Sequence, residues 1–113
     1  MFELGLHLEG EVVIISLNGN FEKYDTIEII EKVEEQISLQ RHNILFVMNG
    51  VQSIDNLGVG ALLTSMSMVS SWGGKVILAD IPELIRESPP LKGRLGEFEI
   101  YDTESEALKH FTD

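Results

Sequence analysis

The chain has 113 residues, which fits a single domain over residues 1–113 with one core. With 43% hydrophobic residues it has the composition of a folded globule, and the absence of cysteine excludes disulfides, thiolate catalysis and cysteine metal sites. The net charge of −11 disfavours binding to nucleic acid or anionic lipid and makes a basic protein surface the easier partner. The same charge is explained equally well by a need for solubility.

No apolar run approaches the roughly 20 residues that cross a bilayer. The first residues, Met-Phe-Glu-Leu-Gly, lack the basic region and the long apolar block of a signal peptide. We therefore expect a soluble, cytoplasmic protein with no membrane insertion.

The chain opens with a pattern typical of a β-hairpin. Apolar and other residues alternate over residues 2–8, the period of a half-buried strand. A turn at Glu9-Gly10 leads into residues 11–17, which are apolar on both faces and predict an interior strand. Asn18-Gly19-Asn20 is expected to end that strand.

A helix and a central strand are predicted next. Asp25 and Glu28 have capping-box spacing, and the helix is expected over about residues 26–39. Its inward face is predicted from four apolar residues: Ile27, Ile30, Val33 and Ile37. Residues 43–48 are apolar on both faces and predict a central strand that ends at Asn49-Gly50.

Between this strand and the next helix lies the elbow, residues 53–60, with the sequence Ser-Ile-Asp-Asn-Leu-Gly-Val-Gly. Backbone N–H groups at a helix start favour an anion, and either Asp55 or Asn56 is placed to cap the helix there. The helix has an apolar face and is predicted to end at Gly73-Gly74. That face comprises Val59, Leu62, Leu63, Met66 and Val69.

The last third of the chain predicts two more strands and two more helices. A strand over residues 75–80 precedes a short helix from Pro82 to Ser88, because Pro89-Pro90 cannot continue it. Phe98 and Ile100 alternate with polar residues as an edge strand. A final helix is predicted after them, opened by a second capping box and turning three side chains inward. The capping box is Thr103 with Glu106, and the inward side chains are Ala107, Leu108 and Phe111.

Strand and helix alternate after the hairpin, which predicts an α/β fold. The sheet should be mixed but mostly parallel, with about five strands and about four covering helices.

The elbow and its neighbours resemble the STAS domain family, which contains the bacterial anti-sigma-factor antagonists. The usual elbow of that family reads Asp-Ser-Ser-Gly-Leu-Gly; here Asp55, Gly58 and Gly60 match, while Asn56 and Leu57 replace the serines. Further similarities are Leu17-x-Gly-x-Phe-Glu22, Pro82 at the third helix and the segment from Phe98 to Leu108. Residues 87–97 depart from the family pattern, with a double proline and a couple of extra residues.

The resemblance implies a non-enzymatic signalling module that needs no cofactor and no metal. In the antagonists, a kinase that is also an anti-sigma factor phosphorylates the second elbow serine, and the unphosphorylated form binds that kinase. At this position the chain has Leu57, which has no hydroxyl group. The usual phosphorylation switch is therefore predicted not to operate there.

The resemblance also implies a protein partner, such as an anti-sigma factor kinase or another regulator that binds STAS domains. The residues expected to form the partner-binding surface are Glu22, Lys23, Tyr24, Ser53, Asp55, Asn56, Leu57 and Gly58. Leu57 either contacts the partner or fills the core, and exposure is favoured because a kinase must reach the equivalent serine. Sigma-factor control, a stress-signalling scaffold and a transporter-attached role stay open, as does a homodimer through the first strand.

Other hydroxyl groups near the elbow are interpreted as ordinary rather than as substitute phosphoacceptors. These are Ser53, Thr64, Ser65 and Ser67, with Ser65 expected on the outer face of the helix. Trp72, near the end of the same helix, is expected to pack rather than to contact a partner.

An enzymatic alternative uses Asp55, Asp80 and Asp102, each of which follows a predicted strand. Such acids could hold Mg²⁺ in a receiver-like or metal-dependent phosphoryl-handling enzyme, because ligands bind at the carboxyl ends of parallel strands. Helix capping by each acid is the simpler explanation. The three histidines lack ligand spacing, and no dinucleotide, phosphate-loop or hydrolase motif is present.

Overall fold

The computed structural model describes residues 2–111. A five-stranded sheet in the order β1-β2-β3-β4-β5 forms the centre of the fold. Strands β1 and β2 are antiparallel, and β2 to β5 run parallel to one another, as the sequence predicts. The strands are β1 (Phe2–Glu9), β2 (Val12–Phe21), β3 (Asn43–Ile54), β4 (Lys75–Ala79) and β5 (Glu99–Tyr101).

Within residues 2–111, five α-helices cover the two faces of the sheet, one more than the sequence suggests. They are α1 (Asp25–Ser38), α2 (Asn56–Ser70), α3 (Glu83–Arg86), α4 (Pro89–Lys92) and α5 (Glu104–Leu108). Helices α1 to α4 bury their apolar residues against one face, and α5 covers the other face together with Tyr101 and Phe111. Every helix in this part of the chain is too short or too polar to cross a membrane.

Strands β2 and β3 are longer than predicted, because Asn and Gly residues expected to end them are accommodated inside the ladder. The β2–β3 pairing continues to Asn20 opposite Ser53 and Phe21 opposite Ile54, with register shifts at Ser16/Asn18 and Gly19/Asn20. The turn-forming residues therefore lie at bulges rather than at strand ends. Because β3 extends to Ile54, it includes Ser53, which the sequence predicts to lie in the elbow.

The start of α1 differs from the capping-box prediction. Its N-terminus has no side-chain cap, and the Asp25 carboxylate instead accepts a hydrogen bond from the backbone N–H of Glu22 at 3.2 Å. The predicted inward face is confirmed at Val33, which is buried, and at Ile30 and Ile37, which pack partly buried on the core, but it is wrong at Ile27, which is exposed. Ile29 and Gln36 are buried in addition.

The segment before β5 contains two short helices where the prediction has one. Helix α3 ends at Arg86, and Pro89-Pro90 occupies the first two positions of α4. Proline is tolerated there because the N–H groups at a helix start have no partner within the helix. Leu91 of α4 is fully buried, so this turn adds to the core. Phe98, predicted inside the edge strand, lies just before it and is buried.

The starts of α2 and α5 lie where the sequence predicts them, whereas α2 ends at Ser70, before the predicted stop at Gly73-Gly74. Asp55 caps α2, and the Thr103 hydroxyl caps α5 by accepting from the backbone N–H of Glu106 at 3.1 Å. On α2, Val59, Leu62 and Val69 are buried as predicted.

Candidate functional site

Two strand-to-helix connections meet at the edge of the sheet where the parallel strands end. Residues 22–24 join β2 to α1, and residue 55 joins β3 to α2. Because β2 and β3 are adjacent and parallel, the predicted surface residues come together here. We call the following set the elbow surface: Glu22, Lys23, Tyr24, Ser53, Asp55, Asn56, Leu57 and Gly58.

The carboxylate of Asp55 joins the two connections. Its Oδ1 accepts a hydrogen bond from the backbone N–H of Gly58 at 2.8 Å, which caps α2. Its Oδ2 accepts from the backbone N–H of Lys23 at 3.1 Å, across 32 positions of sequence. The carboxylate of Asp55 thus occupies the start of α2, where the sequence predicts that free N–H groups favour an anion.

Ser53, near the end of β3, contacts the end of β2 and the connection that follows it. Its hydroxyl lies 2.9 Å from Asn20 Oδ1 and 2.9 Å from Glu22 Oε2, so it is placed to donate to either acceptor. Asn20 was not among the predicted site residues. Its participation depends on the register that places it opposite Ser53, which no local sequence pattern reveals.

Gly58 allows the elbow to pack closely on the end of β2. A Cβ atom at this position would lie 2.6 Å from the Phe21 carbonyl oxygen and 2.9 Å from Ile54 Cγ1. Gly58 is buried, so its contribution is to this packing. At Gly60, by contrast, an added Cβ meets no atom within 4 Å beyond its immediate helical surroundings.

The solvent-facing part of the elbow surface is formed by Lys23, Tyr24, Asn56 and Leu57. Tyr24 is 84% exposed and Leu57 is 60% exposed, which places two large apolar groups at the starts of neighbouring helices. Ile27, one turn into α1, is a third exposed apolar side chain that the sequence interpretation had placed in the core.

The other residues singled out in the sequence lie apart from this surface or have structural contacts. Ser65 is buried and donates its hydroxyl to the Ala61 carbonyl oxygen at 2.8 Å, so its predicted outward position is wrong. Trp72 stacks on His42 with ring centroids 5.6 Å apart while remaining largely exposed. Thr64 and Ser67 are exposed on α2.

The three strand-end acids of the enzymatic alternative have separate contacts. Asp55 bonds within the elbow, Asp80 accepts from the backbone N–H of Glu104 at 3.2 Å, and Asp102 lies 3.9 Å from Arg86. Among residues 2–111, no group of three His, Cys, Asp or Glu side chains is arranged to hold a metal ion.

The fold and the site define an α/β protein with a mixed sheet and a composite surface at the carboxyl ends of its parallel strands. The sequence matches the family model of the STAS domain over residues 6–107, and the chain belongs to that family. A comparison with curated protein sequences found no match.

Solved structures with this fold include several anti-sigma factor antagonists. A candidate antagonist from Thermotoga maritima superposes with a TM-score of 0.86 at 23% identity, covering 97% of this chain and 95% of that one. An anti-sigma factor antagonist from Mycobacterium paratuberculosis gives 0.85 at 14% identity, covering 100% and 96%. The Bacillus cell fate determinant SpoIIAA, in its phosphorylated form, gives 0.72 at 25% identity, covering 96% and 97%.

Proposed function

We propose that this chain is a non-enzymatic regulatory module that binds a protein partner, such as an anti-sigma factor kinase, through the elbow surface. Membership of the STAS family and the likeness to anti-sigma factor antagonists support the class of function. The observation that carries the choice of surface is the exposure of Leu57 in the first turn of α2. We also propose a cytoplasmic location, where such a partner would be met.

An exposed leucine on a rigid helix start is well suited to anchor an interface. Burying a leucine side chain contributes about 1.5–3 kcal/mol when it is fully removed from water, and Leu57 has most of that surface still available. Tyr24 adds a second large anchor of a type enriched among interface hot spots. The Asp55 bonds fix the two connections before binding, which reduces the entropy lost on association.

The leucine at position 57 also supports partner binding that is independent of phosphorylation at that position. A phosphate group brings about −1.5 to −2 charges at neutral pH, and placed next to carboxylates it disrupts a surface by repulsion. Leucine accepts no phosphate, so position 57 adds no charge to a surface that already carries Glu22 and Asp55. We infer that any control of binding acts through the partner or at another site.

Titration against a purified anti-sigma factor kinase from the same genome tests the surface. Leu57→Asp should weaken binding by at least about tenfold, because the anchor becomes a charge beside other carboxylates. Leu39→Asp is the matched control, since Leu39 is an exposed leucine at the opposite end of α1. Equal affinity of wild type and Leu57→Asp would show that the partner binds elsewhere.

Intact mass after incubation with that kinase and ATP tests the absence of the switch. The wild-type chain should gain no phosphate at the elbow, and a phosphate mapped to residues 53–60 would contradict the proposal. Leu57→Ser restores an acceptor hydroxyl in the same geometry and is the variant expected to gain one phosphate if the kinase accepts the surrounding sequence.

A further inference from the structure

The outer edge of β1 differs from the other edge of the sheet. The edge strand β5 has three residues, whereas β1 has eight, and all eight pair in unbroken register with β2. Natural proteins protect long edge strands with charged side chains, lysine above all, with proline or with a bulge, because unpaired backbone N–H and C=O groups bind other strands. Strand β1, with the sequence Phe-Glu-Leu-Gly-Leu-His-Leu-Glu, contains no lysine, proline or bulge, and its charged residues are Glu3 and Glu9.

The β1 strand also leaves apolar surface uncovered on the face that carries α1. Phe2 and Leu4 pack against the core, but Leu6 is 36% exposed and Leu8 is 46% exposed. A long edge strand that adds exposed leucines to a row of unpaired backbone groups is suited to pairing with another strand.

We propose that β1 pairs with β1 of a second copy of this chain to form an antiparallel dimer with a continuous ten-stranded sheet. In an antiparallel pair, opposite residues lie on the same face of the sheet, so each even-numbered residue of β1 must face an even-numbered one. With Gly5 on the two-fold axis, Leu4 lies opposite Leu6 and Phe2 lies opposite Leu8. Each exposed leucine therefore gains an apolar partner.

Charge complementarity selects this register. On the other face, the same register places Glu3 of each copy opposite His7 of its partner, twice per dimer. The His7 imidazole can donate an N–H to a carboxylate whether or not it is protonated. With Leu6 on the axis instead, Glu3 would lie opposite Glu9, and like charges directly opposite each other are destabilising. With Leu4 on the axis, Glu3 would lie opposite Gly5, and Leu8 would have no partner in β1.

The dimer would present two elbow surfaces at opposite ends of the sheet. A two-fold axis perpendicular to the sheet reverses the strand direction, so the carboxyl ends of β2 and β3 point away from each other in the two copies. The inference does not depend on the proposed partner of the elbow surface. It predicts a bivalent module in which two partners bind without meeting.

Sedimentation velocity at about 1 µM to 1 mM, the range in which weak interfaces dissociate, tests the dimer. The wild-type chain should change from monomer to dimer across this range. The double variant Leu6→Lys/Leu8→Lys should weaken the dimer by about 100-fold or more, because four leucines per dimer lose their apolar contacts. Leu39→Lys, an exposed leucine outside the strand, should leave it unchanged.

A charge exchange tests the register itself. His7→Glu places two carboxylates opposite each other twice per dimer and should weaken it by about tenfold. Adding Glu3→Lys to that variant restores opposite charges and should restore the dimer. A wild-type chain that stays monomeric at the highest concentration, or a dimer unaffected by the leucine variants, would overturn the proposal. A dimer that responds to the leucine variants but not to charge exchange would overturn the register.

Discussion

The connections β2–α1 and β3–α2 begin at neighbouring strand ends, yet they are stabilised in different ways. The elbow is capped within itself, since Asp55 bonds to the N–H of Gly58 three residues later. The β2–α1 connection has no side-chain cap on its helix, and Lys23 adopts a left-handed backbone conformation with φ of 50°. Its Lys23 N–H bonds instead to Asp55 of the other connection.

From this difference we infer that the β2–α1 connection depends on the β3–α2 connection. Asp55, Ser53 and Gly58 all lie in the β3–α2 segment, and all three contact the β2–α1 side. We therefore expect the conformation of residues 22–24 to depend on the elbow. Substitutions in the elbow should change the backbone conformation at Lys23 and Tyr24. The variants below test this dependence, from the largest expected effect to the smallest.

Gly58→Ala should have the largest effect on stability. The added Cβ would be too close to the Phe21 carbonyl oxygen and to Ile54, so the backbone must shift, and we expect unfolding free energy to fall by about 2–3 kcal/mol. Gly60→Ala, two residues on, should instead raise it by about 0.5–1 kcal/mol, because the site is open and alanine favours helix. Urea denaturation measures both. Equal effects at the two glycines would contradict the close packing at Gly58.

Asp55→Ala should be next, with a loss of about 1–2 kcal/mol from the cap and the bond to Lys23. Asp55→Asn separates the two bonds, since an amide oxygen can still cap α2 while the NH₂ group cannot accept from Lys23. Hydrogen exchange should then become faster at the Lys23 amide and stay slow at the Gly58 amide. Asp25→Ala, which removes one local bond to Glu22, is the control and should not affect either amide.

Ser53→Ala should cost about 0.5–1 kcal/mol, the usual worth of a hydroxyl hydrogen bond. The hydroxyl bonds only to groups of β2 and the β2–α1 connection, so the change should appear there first. Faster exchange confined to α2 would argue against that direction of dependence. Ser71→Ala is the matched control, because its hydroxyl bonds within its own helix end, to the Ser67 carbonyl oxygen.

Leu57→Ser should have the smallest effect on stability, within about 0.5 kcal/mol, because the leucine side chain is largely in water. The same substitution should still affect partner binding, since burial occurs only in the complex. A large fall in unfolding free energy would show that Leu57 supports the fold rather than the surface. Thermal unfolding of the isolated chain is the check.

Much of the fold could be predicted because it depends on local patterns. The alternation in β1, the apolar runs of β3 and β4 and the capping residues Asp55 and Thr103 are short-range signals with direct physical causes. The errors arose where tertiary contacts override such signals. Asn18-Gly19 resembles a turn, but pairing with β3 holds it in the sheet, opposite a strand that takes up the register shifts with its own extra residues.

The residues of the candidate site could largely be predicted from the sequence, but the hydrogen bonds between them could not. Asp55 was placed at a helix start by sequence alone, because a carboxylate there satisfies free N–H groups. Its second bond, to Lys23, joins residues 32 apart and depends on β2 and β3 being neighbours. Similarly, Asn20 lies beside Ser53 only because of the strand register.

The sequence by itself determined the α/β order of strands and helices and the lack of a hydroxyl group at position 57, and its elbow motif carries the resemblance to the STAS family. The first two properties follow from residue chemistry and from periodicities of a few residues, which need no long-range contact to operate. The tertiary structure decided which groups share one surface and which of them face solvent. Those properties depend on long-range strand pairing, since the parallel pairing of β2 with β3 brings Tyr24 and Leu57 to one end of the sheet, and the strand order places β1 at its edge.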